Sequence, residues 1–322
     1  LASGTTGDFN VAVGGAALFS VNTGNDNTAV GACAMSINTS GCENTAVGKS
    51  ALTANTTGCR NIAIGYNSLA VNTEGCCNVS IGRTALDANT TGDFNTAVGN
   101  SALSGNTTAD NNTAVGYLSL NANTTGIQNT AMGLRSLCSN TTGENNVAIG
   151  AYALDAHVSG SCNVAVGASS LELNTASNNT AVGGRSMTAN TTGHSNVAVG
   201  KGALDANTEA NQNTAIGTDA LTTATTAGSN TAIGHDALCA TTTGGQNNAF
   251  GDGAMNTNTI GCRNIAMGSS ALFSNTEGLC NTALGHIAMY DNTTGDTNTA
   301  VGSSALKANT TGNNNTALGS SA

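Results

Sequence analysis

The chain is 322 residues long, with 8% charged and 3% aromatic residues and a formal net charge of −10 at neutral pH. Eight Lys and Arg side chains over that length argue against nucleic acid or an anionic membrane as a partner. So few charges and rings do not make an ordinary globular core and surface, and no run of 18 apolar residues exists to cross a bilayer.

Asparagine returns every 17 residues, at Asn10, Asn27, Asn44 and Asn61 and onward to Asn298 and Asn315, in 19 repeats of 19. A fixed period of this kind marks a solenoid, in which each repeat is one rung. One rung reads Asn44-Thr-Ala-Val-Gly48-Lys-Ser-Ala-Leu52-Thr-Ala-Asn55-Thr-Thr-Gly58-Cys-Arg60. Taken in chain order, it opens on a four-residue block, N-[TVI]-A-[VIM], closed by glycine. The residue two before that glycine is Ala in every rung but one, where Ser80 stands. Four residues after the glycine comes Leu or Met (Leu18, Met35, Leu52, Leu69). Asn-Thr-Thr-Gly follows, a turn by composition. No apolar stripe recurs at helical spacing. The pattern therefore predicts an all-β chain, a parallel β-solenoid of 19 rungs, with two short strands of about four residues in each.

The block glycines are 17 residues apart except between Gly167 and Gly183, which are 16 apart. A strand tolerates a one-residue slip poorly, because every side chain changes face, so the deletion is expected in the turn near Asn174. A lone rung buries too little to offset the entropy of ordering it. Rungs must therefore stack through continuous ladders of hydrogen bonds. At about 4.8 Å per rung the whole would be a rod roughly 90 Å long. The chain has no initiating Met and no signal-peptide pattern. Gly319-Ser-Ser-Ala322 joins onto Leu1-Ala-Ser-Gly-Thr-Thr-Gly7 without breaking the repeat. The expectation is one continuous solenoid over 1–322, cut from a longer fibre or stacking end to end.

Repeats such as Asn44-Thr-Ala-Val-Gly48 with Ala51-Leu52 resemble the head repeats of YadA-like trimeric autotransporter adhesins. They are similar also to the N-T-A-x-G-x-x-A-L-x-x-N-T-T-G arrays of repetitive phage tail-fibre proteins. The resemblance implies a left-handed parallel β-roll, usually trimeric, used for adhesion or for carrying receptor-binding parts. This chain departs from the adhesins in its longer turn and its ten cysteines. The residues independently suggest association: Ala46 and Val47 are neighbours on a strand and so face opposite sides, yet both are apolar. One side fills the coil, and the other needs a second dry surface.

The candidate sites follow the columns. Asn27, Asn44, Asn61, Asn78, Asn95 and Asn112 would stack as a ladder of side-chain amides. Cys42, Cys59 and Cys76 share one phase in successive rungs, which places them within disulfide reach and suits an oxidising, extracellular setting. Of 13 Asn-x-Ser/Thr sequons, nine fall at the turn (Asn38, Asn55, Asn89, Asn106, Asn123, Asn140, Asn190, Asn292 and Asn309), making a column of candidate glycosylation sites. Adjacent Thr56 and Thr57 point to opposite sides of a strand, which weakens an ice-binding reading. Asp93 with Asp110, and Asp155 with Glu172, fall in shared or neighbouring phases but match no calcium-loop pattern. No C-x-x-C and no Ser-His-Asp set can be argued, so neither metal nor cofactor nor catalytic residue is expected. The sequence thus reads as a non-enzymatic fibre or filament protein, extracellular, on a cell surface or in a virion. Its partners would be copies of itself, trimeric, lateral or end to end, with glycans or a host surface as further candidates. A trimeric adhesin or tail-fibre binding module is the alternative, and an ice-binding solenoid the weaker one.

Overall fold

A computed structural model describes residues 6–20 and 22–322. Leu1 to Thr5, which carry part of the expected join between the chain's two ends, lie outside the described residues. Among the described residues every regular element is a three-residue strand and none is a helix, so none is a helix long and apolar enough to cross a membrane. The chain divides between Cys162 and Asn163 into two compact units. The first holds nine strands, from β1 (Val11–Val13), β2 (Thr28–Val30), β3 (Thr45–Val47) and β4 (Ile62–Ile64) to β9 (Val147–Ile149). The second holds ten, from β10 (Val164–Val166) and β11 (Thr180–Val182) to β19 (Thr316–Leu318).

Within each unit every strand pairs with the next in parallel, and the register follows the repeat. Ala46 lies beside Ala63, and Val47 beside Ile64. Each unit is thus a parallel β-solenoid with one rung per 17 residues. The ladder continues outside the strands: Leu52 N donates to Ser68 O at 3.0 Å, Thr56 N to Thr73 O at 2.9 Å and Arg60 N to Cys42 O at 2.9 Å. Nearly the whole circumference of a rung is therefore bonded to its neighbours, as a chain without a conventional core requires.

The short rung keeps this scheme. Val164 pairs with Thr180, and Val166 with Val182, an offset of 16. Asn190 Nδ2 still reaches Asn174 Oδ1 at 2.6 Å, and Thr175 N still reaches Thr191 O at 3.0 Å. The missing residue therefore falls between Thr175 and Asn179, in the turn, and no strand changes face.

Among the described residues, only one of the two expected strands per rung is present. The stretch around Ala51-Leu52 is a succession of turns, with Ser50 at φ 57° and Leu52 at φ 52°. A left-handed backbone at a bulky residue costs roughly 1–2 kcal/mol. Full burial of that leucine returns roughly 1.5–3 kcal/mol, and burial wins. Because the segment is not a strand, Ala51 and Leu52 do not alternate: both are fully buried. The block glycine makes the corner possible. Gly48 sits at φ 136°, and a Cβ there would stand 2.5 Å from the carbonyl oxygen of Gly65.

Candidate functional site

The strand alternation sorts the apolar block into two columns. Ala46 and its counterparts from Ala29 to Ala300 point into the coil with no exposure, while Val47 is 37% exposed. The inward column is almost uniformly Ala, because the opposite wall of Leu and Met leaves space for a methyl group. The one exception has a partner: Ser80 Oγ donates to Ala85 O at 2.8 Å and meets Ser68 Oγ at 2.7 Å.

The outward column carries Val13, Val30, Val47, Ile64, Ile81 and Met132 in the first unit, and Ile216, Phe250, Met267 and Leu284 in the second. No outward strand position holds a charge. Two residues earlier on the same face stand Thr28, Thr45, Thr96, Thr113 and Thr130, whose hydroxyls have no protein partner. The turn threonines differ: Thr56 Oγ1 is spent on Thr73 O at 2.8 Å. The free hydroxyls therefore stand on the strand face, in runs broken by Ile62, Val79 and Val147, whereas the threonine column at the turn, unbroken from Thr56 to Thr124, is engaged rung to rung.

Inside each unit run two ladders of asparagine. In the block column, Asn44 N and Asn44 Nδ2 donate to Asn27 Oδ1 at 3.0 and 3.1 Å, and Asn44 Nδ2 also reaches Gly58 O at 2.8 Å. Asn61 and Asn78 repeat the pattern on Asn44 and Asn61. For Asn95 and Asn112 the backbone nitrogen makes the link, at 2.9 Å to Asn78 Oδ1 and 3.0 Å to Asn95 Oδ1.

The turn column is the second ladder, and it overturns the reading of these asparagines as surface residues. Asn38, Asn55, Asn89, Asn106, Asn123, Asn140, Asn190 and Asn292 are buried. Their Nδ2 atoms donate along the column, as Asn55 does to Asn38 Oδ1 at 2.7 Å, and to the turn carbonyl three residues on, as Asn55 does to Gly58 O at 2.9 Å. Asn309, half-buried, bonds in the same way to Asn292 Oδ1 and Gly312 O. A glycan needs that nitrogen in solvent, and in the folded rung it is inside and twice engaged. Asn-Thr-Thr-Gly is turn chemistry, folded inward.

The cysteine column lies beside these turns. Cys42 Sγ and Cys59 Sγ are 2.9 Å apart, Cys42 N donates to Cys59 Sγ at 3.1 Å, and Cys59 N donates to Cys76 Sγ at 3.2 Å. The next two side chains of the same phase are carboxylates in the same acceptor role: Cys76 N reaches Asp93 Oδ1 at 2.6 Å, and Asp93 N reaches Asp110 Oδ1 at 2.7 Å. All ten cysteines are thiols in this structure. The hydrogen bond to Cys59, with some help from burial, pushes the Cys42 thiol up to about 11. Burial raises Cys76, Cys138 and Cys239.

Searches of the sequence against family models and curated proteins find no match. What stands is the architecture.

Other charged groups are spent locally. Asp155 takes Arg135 Nε at 3.2 Å and Nη2 at 3.1 Å, so it is a salt-bridge partner and not a cation ligand. Asp205 is held by Arg185 through Nη2 alone, at 3.1 Å. Asp87, in the same phase, has Asn67 where those two have arginine, and burial raises its pKa. His157 stands in the turn-asparagine column, buried, with Nε2 2.6 Å from Gly160 O. Among the described residues no three His, Cys, Asp or Glu side chains gather as a metal site.

Proposed function

We propose that this chain is a non-enzymatic structural fibre protein of an extracellular appendage or a virion, whose copies associate along the outward faces of their sheets. The observation that carries this reading is the outward strand column, apolar at its third position and without charge at either position in a chain of net charge −10. A contiguous apolar strip of this kind is the mark of a covered surface. Between copies of an acidic chain, an uncharged strip is also where like charges interfere least. The interior supports the same reading, since its polar groups are spent on holding rung to rung and leave stiffness as the property of the unit.

The resemblance of Asn44-Thr-Ala-Val-Gly48 and its repeats to adhesin heads and tail-fibre arrays supports a second reading, a trimeric module that recognises a host surface. The free strand threonines favour a third, binding to ice. Against the third stand Met132, Phe250, Met267 and Leu284, which interrupt the even surface that a crystal plane would need.

Sedimentation velocity and electron microscopy of the full chain separate these readings. A fibre protein gives concentration-dependent assemblies of several chains, and the triple variant Val47→Lys, Ile64→Lys, Ile81→Lys weakens association at least tenfold while keeping the β signature in circular dichroism. A wild-type chain that stays monomeric at every concentration overturns the proposal. Saturable binding to cells or glycans by short isolated rods favours the adhesin reading, and thermal hysteresis favours ice.

A further inference from the structure

We propose that Cys42 and Cys59 form a selective covalent cross-linking site, a disulfide that staples two successive rungs of the first unit. Neither the fibre reading nor the adhesin reading is needed for it. Three observations bring the pair together. The two sulfurs are 2.9 Å apart, so a bond of about 2.05 Å requires them to close by less than 1 Å. Their backbones are fixed in stacked rungs by the bond from Arg60 N to Cys42 O at 2.9 Å. Beside them Arg60 Nε meets Glu43 Oε2 at 3.3 Å, a second link between the same two rungs.

Cys59 and Cys76 each accept from the preceding cysteine's backbone N, at 3.1 and 3.2 Å, and each donates to the carbonyl two residues before, Thr57 at 3.4 Å and Glu74 at 3.3 Å. What sets the first pair apart is the contact of sulfur with sulfur, in which Cys42 donates its S–H to Cys59 Sγ. The bridge therefore forms within the first pair, and Cys76 remains a thiol. Neighbouring Cys77 bonds through its backbone N to Cys59 O at 3.0 Å, and its thiol stands beside the Arg60 guanidinium.

The oxidant is a low-molecular-weight disulfide. The Cys59 thiolate attacks one of its sulfurs and releases one small thiolate, giving a mixed disulfide. The Cys42 thiolate then attacks the Cys59 sulfur, forms the inter-rung bond and expels the second small thiolate. Both protons end on the two small thiols. Two electrons pass from the protein to the oxidant, and the atoms balance. The thiolate is the reactive form, so both steps run faster at higher pH.

A link between residues one rung apart removes freedom from the unfolded chain and resists separation of those rungs. The full-length reduced chain would be titrated with oxidised glutathione, remaining thiols alkylated, and the peptides mapped without reduction. The expected result is a first and predominant link joining Cys42 to Cys59, with a melting midpoint raised by about 2–6 °C and restored by reductant. Cys76→Ser should leave both unchanged, while Cys42→Ser and Cys59→Ser, each checked for the β signature, should abolish both. A first link at Cys59–Cys76 or Cys76–Cys77, links only between chains, or glutathione mixed disulfides alone would overturn the site. A Cys42–Cys59 bridge with an unmoved midpoint would overturn its role as a staple.

Discussion

Two columns of asparagine run inside each unit, and the chain treats them differently. The block column is asparagine in every rung, whereas the turn column becomes His157, Ala224 and Thr241 in three. The bonds explain the difference. Asn112 Oδ1 accepts from Asn129 N at 3.0 Å and from Asn129 Nδ2 at 3.3 Å, and Asn112 Nδ2 donates to Gly126 O at 2.9 Å. Asn123 Oδ1 accepts only a side-chain amide, Asn140 Nδ2 at 2.9 Å, and that nitrogen has Gly143 O as a second acceptor. Removing a block asparagine strands a backbone donor, while removing a turn asparagine strands one side-chain acceptor. The substitutions the chain already carries show that smaller cost. Asn140 Oδ1 and Asn207 Oδ1 are buried without a partner, and the next residues in their column are His157 and Ala224.

The comparison is broken most severely at the block column. Asn112→Ala leaves the buried N–H of Asn129 without its acceptor and takes a donor from Gly126 O. A stranded buried donor costs about 1–3 kcal/mol, and the lost bonds add to it, so a total of about 3 kcal/mol is expected. Because solenoids open locally, the loss is best read by amide hydrogen exchange, as a fall of about a hundredfold in protection around Asn129. Unchanged protection there would mean that the block ladder is not what holds neighbouring rungs together.

The two columns also divide what the sequence discloses from what it hides. The block ladder is legible because an asparagine fixed in all 19 rungs, next to a strand, has few roles other than stacking. The position of the one-residue deletion is legible for a similar reason, since only a turn absorbs it. The turn ladder is not legible: Asn-Thr-Thr-Gly reads equally well as an exposed loop, and its direction depends on the corner before it. That corner is built from left-handed Ser50 and Leu52, and nothing in a leucine announces a backbone it seldom adopts. The same hidden corner explains why Ala51-Leu52 looked like a strand. The threonines mislead in turn. The conspicuous pair Thr56-Thr57 lies at the turn, and Thr45 and its counterparts on the strand are the ones with free hydroxyls.

A milder break lies in the turn column. Asn123→Ala strands Asn106 Oδ1, which now takes Asn123 Nδ2 at 3.0 Å, but leaves every backbone donor paired. A loss of about 1–2 kcal/mol is expected, roughly tenfold in local exchange. The informative quantity is the ratio of the two variants. If Asn123→Ala matched Asn112→Ala, the tolerance of the turn column at Ala224 and Thr241 would need another cause.

The smallest effect is a gain. Ala224→Asn restores a donor to Asn207 Oδ1, an acceptor that is buried and unserved. The cavity suits the larger side chain, because asparagine fills this phase in the neighbouring rungs at Asn190, Asn207 and Asn258. Asn258 Nδ2 now reaches Thr241 Oγ1 at 3.3 Å, so the ladder past position 224 already has a side chain able to receive a restored link. One satisfied buried bond contributes about 1 kcal/mol, seen as slower exchange at Thr225 and a slightly higher melting midpoint. Ala224→Leu, with the same side-chain branching as asparagine but unable to donate, separates the hydrogen bond from simple filling. A gain with Asn and none with Leu assigns the stability to the ladder, whereas equal gains would make the turn column a matter of packing.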